Sequence, residues 1–66
     1  MAVAKTIEII ASSTKGIEDA VQTGIAKAGE TIDDIEGAWV KGTKVLVRDN
    51  QVTEWRVTLA ITFVVA

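Results

Sequence analysis

Residues 54–65 read EWRVTLAITFVV, and the alternation in this run decides the architecture. Val57, Leu59, Ile61, Phe63 and Val65 fall on one side of an extended chain, while Glu54, Arg56, Thr58, Ala60 and Thr62 fall on the other, because successive strand side chains point to opposite faces. The first side is a continuous apolar surface that requires a cover. The second is polar but lightly charged, with Thr and Ala where a solvent-facing strand often carries Lys and Glu, which suits a face lining an interface or a cavity. Trp55 shares the parity of the apolar side and is expected in the core.

Working back toward the N-terminus, Asp49, Asn50 and Gln51 separate this strand from a second β-rich run, AWVKGTKVLVR (38–48), that opens after Gly37. An Asp-Asn pair is a good turn former, so the two runs make an antiparallel hairpin. The cover is found upstream: Ile17, Ala20, Val21, Gly24, Ile25 and Ala28 recur at the three-and-four spacing of a helix, with Glu18, Asp19, Gln22 and Lys27 off the stripe. Ala20, Gly24 and Ala28 are small enough to let the helix backbone lie close to a sheet. Ser13 is the expected N-cap and Gly29 the expected C-cap. Before the helix, AKTIEIIA (4–11) alternates Ile7 and Ile9 with Thr6 and Glu8, a first strand with one buried face. ETIDDIE (30–36) is a connecting loop anchored by Ile32 and Ile35. The fold class is therefore α+β, a β-α-β-β order in which a three-stranded antiparallel sheet wraps one amphipathic helix. Residues 1–66 read as a single domain without internal repeats.

Composition bounds what such a domain does. A chain of 66 residues that is 48% hydrophobic buries only roughly 60% of its unfolded surface. Small domains of this kind rely on disulfides, a structural metal or oligomerisation. With no Cys and no His, the first two remedies lack their ligands, so an obligate oligomer is expected. Nine acids against seven bases argue against a nucleic-acid binder, which displaces counterions with a basic stripe. The longest apolar stretch, Val57 to Ala66, is interrupted by Thr58 and Thr62 and is shorter than the ~20 residues of a spanning helix. Lys5 followed by Glu8 breaks the apolar segment of a secretory signal, so a cytoplasmic location is expected.

Catalytic chemistry is sparse. Ser12 and Ser13 have no His to activate them, and the five glycines at 16, 24, 29, 37 and 42 form neither a P-loop nor a dinucleotide-binding fingerprint. The expectation is a binding protein, not an enzyme. Asp33, Asp34 and Glu36 offer oxygen ligands for a divalent cation but lack the pattern of an EF-hand loop, and a solvated loop is the alternative. Trp39 and Trp55 are the natural platforms for a planar ligand. If Ala38 and Val40 face the helix, Trp39 points away from it, alongside Arg56 across the hairpin, and either packs in a subunit interface or stacks on a ligand.

Nearly all of the chain resembles the dodecin family. The similarity lies in IIASSTKGIEDAV (9–21), a strand running into a helix, in AKAGETIDDI (26–35), in AWV (38–40) opening a long strand, and in the final VTEWRVTLAITF (52–63). The resemblance implies a hollow homododecamer that stores or buffers flavin, with pairs of isoalloxazine rings stacked between symmetry-related Trp residues. Two positions depart from the pattern. Gly37 stands where the family has its flavin-stacking Trp, with Trp39 on the same sheet face nearly 7 Å away at ~3.3 Å per residue. Arg56 replaces a Gln that bonds the flavin edge; Gln offers a donor and an acceptor, whereas Arg only donates. The resemblance thus implies a site at Trp39, Arg56 and Gly37 for riboflavin, FMN or a related planar anion, or else the same shell without flavin, acting as a structural or metal-ion-binding assembly.

Overall fold

The long alternating run forms β3 (Gln51–Val64), the central strand of a three-stranded antiparallel sheet, in a computed structural model that describes residues 3–65. Its neighbours are β1 (Ala4–Ser13) and β2 (Ile35–Arg48), and one helix, α1 (Ile17–Ala28), lies between β1 and β2 in the chain. The β-α-β-β order and the antiparallel sheet are those expected from the alternation. Residues 1–2 and 66, included in the single-domain reading, lie outside the described residues.

The helix packs on β1 and β3 and leaves β2 almost untouched. Val57, Leu59 and Ile61 of β3 and Ala20 of α1 are fully buried, and Ile7, Ile9, Ile17, Ile25 and Ile35 pack around them. Gly24 permits the close approach: a Cβ there would stand 2.8 Å from the Ala11 Cβ and 3.2 Å from the Leu59 Cδ1. Between β1 and α1 the chain leaves an open groove of about 410 Å³, lined by Ile7, Ile9, Ala11, Gly24, Ala28 and Ile32 among others.

Asp49 and Asn50 both adopt the left-handed conformation, at φ 53° and 62°, the combination that matches a two-residue turn to the right-handed twist of its strands. Gln51 belongs to β3 instead of the turn and pairs with Arg48.

Several boundaries differ from the sequence expectation. β1 runs on to Ser13, which pairs with Trp55, and the helix is capped by Gly16, not by Ser13. The backbone of Ser13 is committed to the sheet, so its hydroxyl ties the connection together instead: it accepts from the Lys15 N–H at 2.9 Å and donates to Asp19 Oδ2 at 2.6 Å. Gly16 at φ 157° holds a conformation that residues with a Cβ rarely adopt. β2 begins at Ile35, before Gly37, because Ile35 is drawn into the core and pairs with Phe63. Trp55 is half-buried and lies outside the buried cluster. It has the expected parity, but β1 ends at its partner Ser13, and the helix extends back from there over the other half of the sheet.

Candidate functional site

The sheet face opposite the helix carries the candidate residues. The register builds it in rows: Thr6, Thr62 and Gly37; then Glu8, Ala60 and Trp39; then Ile10, Thr58 and Gly42; then Ser12, Arg56 and Lys44. Ala38 and Val40 pair with Ile61 and Leu59 on the helix side, so Trp39 points outward as expected. The residue is 69% exposed, an unusual setting for a tryptophan, whose large apolar surface is ordinarily buried or covered by a partner.

A β-bulge interrupts β2 here, where the pairing passes from Val40–Leu59 directly to Gly42–Thr58 and leaves Lys41 without an opposite residue. Bulges re-aim side chains. The Lys41 ammonium donates to Glu8 Oε2 at 3.1 Å, bridging two strands across β3, and lies 5.9 Å from the centroid of the Trp39 ring. Flanked by Glu8 and Trp39 and crossed by this ion pair, Ala60 keeps only 8% of its surface exposed although no helix covers it. Neither Glu8 nor Lys41 was singled out in the sequence. Lys41 shares the parity of Trp39 two residues earlier, but the partnership with Glu8 arises only from the register of β1 on β3.

Arg56 lies elsewhere on the same face. It pairs with Lys44 across the hairpin, whereas Trp39 pairs with Ala60, so the two are separated by the four positions from 56 to 60, about 13 Å at ~3.3 Å per residue. The expected juxtaposition of Trp39 and Arg56 fails within one chain because the two-residue turn sets Trp39 opposite Ala60, the bulges at Lys41 and Thr53 cancelling between the turn and Trp39. Arg56 is instead held by Glu54, whose Oε2 accepts from Nη2 at 2.6 Å and from Nε at 3.2 Å. Gly37 stands one row from Trp39, and a Cβ placed on it or on Gly42 would meet nothing within 4 Å. The indole is therefore bordered by open backbone on two rows and by the hydroxyls of Thr58 and Thr62. Such a surface fits one face of a planar heterocycle: an aromatic platform, space beside it and hydrogen-bonding groups at its margin.

Asp33, Asp34 and Glu36 are exposed; Asp34 takes a left-handed conformation at φ 59° and its carbonyl accepts from the Val64 N–H at 3.1 Å. Among the described residues of one chain, no three carboxylates gather into a group able to hold a metal ion. No helix of the described residues is long and apolar enough to cross a membrane.

Comparison with known proteins places this geometry in a wider setting. The family model described as Dodecin matches residues 3–66. Among solved structures, the chain is similar to an arginine-to-alanine mutant of a Thermus thermophilus dodecin, with 27% identity over 100% of this chain and 97% of that one and a TM-score of 0.94. It shares its fold with a dodecin from Streptomyces coelicolor at 23% identity, covering 98% of this chain and 93% of that one with a TM-score of 0.94. It is also similar to a calcium dodecin from Mycobacterium tuberculosis, described as calcium-chelating with a novel calcium-binding site, at 30% identity over 92% of this chain and 87% of that one with a TM-score of 0.82. No curated protein matches by sequence.

Proposed function

The chain belongs to the dodecin family, and from that premise we propose that it is an oligomeric, non-enzymatic binding protein of the cytoplasm that holds a flavin, or a related planar anionic ligand, on Trp39. Dodecin homologues are oligomeric assemblies. The observation that carries the reading is Trp39 itself, 69% exposed on a sheet face that no element of the described residues covers. An isoalloxazine on that ring buries apolar area on both partners, and a second copy supplying its own Trp39 would close the other side.

The expected assembly is a dodecamer, as elsewhere in the family. Support for self-association comes from the apolar surface left open in one chain, with Val45, Val47 and Val52 exposed on the hairpin and Ile10 on the outer face. Gly37 contributes space at the position where the resemblance puts the family's stacking Trp. Arg56, ion-paired and about 13 Å from Trp39 along β3, would reach the ligand only from another copy of the chain.

Titration of riboflavin and FMN against the purified assembly, followed by flavin fluorescence, tests the reading. Binding is expected to quench the emission, and Trp39→Ala is expected to weaken it by about 0.5–1.5 kcal/mol for each indole in contact. Unquenched flavin at high protein concentration would overturn it. A second reading, a shell that binds calcium instead of flavin, is favoured by the calcium-chelating relative. With no cation-holding cluster among the described residues of one chain, its ligands would be carboxylates such as Asp33, Asp34 and Glu36 combined from several copies. Calorimetric titration with calcium chloride distinguishes the two.

A further inference from the structure

We propose that Lys41 reads the charge of the ligand stacked on Trp39, and that Glu8 is the internal anion the ligand must replace. The inference rests on the flavin reading above. It starts from the bulge: without the unpaired residue between Val40 and Gly42, the outer face beside Trp39 would carry one side chain at this row instead of the Lys41–Gly42 pair. Gly42 contributes no side chain, which leaves Lys41 clear to lean toward Trp39 and across Ala60.

The ammonium so placed has two partners, the Glu8 carboxylate at 3.1 Å and the Trp39 ring at 5.9 Å. The second distance is at the outer limit of a cation–π contact, roughly 6 Å. Both ends of the ion pair are open to water, at 43% and 57% of side-chain exposure for Lys41 and Glu8, and an exposed pair of this kind favours the closed state by only about twofold to fivefold. A neutral planar ligand gives Lys41 no reason to leave Glu8. A ligand carrying a phosphate ester offers about −1.5 to −2 charge and several acceptor oxygens, so the lysine moves from carboxylate to phosphate with a net gain. The site should therefore discriminate between ligands with the same ring system by the charge on their tails, with Lys41 and not the same chain's Arg56 as the discriminating cation, since Arg56 stands about 13 Å from Trp39 along β3 and is held by two hydrogen bonds to Glu54.

The test measures FMN and riboflavin affinities by fluorescence quenching on the intact assembly, for wild type, Lys41→Gln, Lys41→Arg, Glu8→Gln and Lys27→Gln. Wild type is expected to prefer FMN about threefold to tenfold at low salt, with the preference shrinking as salt screens the contact. Lys41→Gln should bring the ratio close to one, and Lys41→Arg should restore most of it. Glu8→Gln should tighten FMN by about twofold to fivefold, the strength of the pair it removes, and leave riboflavin unchanged. Lys27, paired with Glu30 on the helix, controls for overall charge. If flavin binds but the FMN-to-riboflavin ratio stays at its wild-type value in Lys41→Gln and Glu8→Gln, or falls equally in Lys27→Gln, the role of Lys41 is overturned while the flavin reading stands. If neither flavin binds the wild-type assembly, both fall together. Should Lys41→Gln fail to assemble by size-exclusion chromatography, Glu8→Gln against Lys41→Arg carries the same decision.

Discussion

The two ends of the sheet obey one alternation and have opposite fates. At the end built on Val57, Leu59 and Ile61, the helix lies over the apolar side and those side chains are fully buried. At the other end, past the Ser13–Trp55 pair, the sheet is reduced to two strands, and Val45, Val47 and Val52 continue an apolar surface that nothing among the described residues covers. A helix of 12 residues is about 18 Å long at 1.5 Å per residue, whereas a strand of 14 residues spans about 46 Å at ~3.3 Å per residue. One helix cannot cover such a hairpin. An isolated two-stranded ribbon is marginal in water, so the uncovered end points to further copies of the chain as its cover, and the covered end to a fold the subunit makes for itself.

The sharpest way to break this contrast is Leu59→Ala. The cavity and transfer losses should cost about 2–5 kcal/mol, a large part of the stability of so small a domain, and urea unfolding followed by far-UV circular dichroism should register it at every protein concentration. Val47→Asp tests the opposite end. It should lower the sedimentation coefficient of the assembly while changing the unfolding of the helix-covered half far less than Leu59→Ala does, and an assembly of unaltered size would refute the claim that this surface is covered by copies. Asn50→Val places a β-branched residue in a left-handed turn position, at a cost of about 1–2 kcal/mol, and should show in the thermal midpoint; Asn50→Gly should not. Gly24→Ala gains up to ~1 kcal/mol of helix propensity but drives a Cβ against that of Ala11, an overpacking cost of about 1–3 kcal/mol. The expected net loss is about 1 kcal/mol, and a stabilised variant would mean that helix and strand separate more easily than their packing implies. Smallest is Ser13→Ala, which removes the hydroxyl linking Lys15 and Asp19 and should cost about 0.5–1.5 kcal/mol in urea unfolding.

The periodicities alone determined most of the architecture. A period of two in 54–65 and in 4–11, a three-and-four spacing in 17–28 and the Asp49–Asn50 turn specify which elements exist, which side of each is apolar and that Trp39 and the core face apart, since each is a local property of backbone geometry and side-chain chemistry. The absence of Cys and His, read with the length, already pointed to self-association. Register was decided only by the tertiary structure. Bulges at Glu36, Lys41 and Thr53 each shift the pairing by one residue, and although Gly37 and Gly42 stand beside two of them, a residue type that often marks a bulge in a strand, the partners that result are set only where the three strands meet. That is why Arg56 faces Lys44 and why Glu8, distant in sequence, meets Lys41 beside the indole, whereas Trp55 has core parity without full burial because β1 ends at its partner Ser13. A face can be read from a single strand, whereas a pair of side chains meeting across three strands depends on two registers at once.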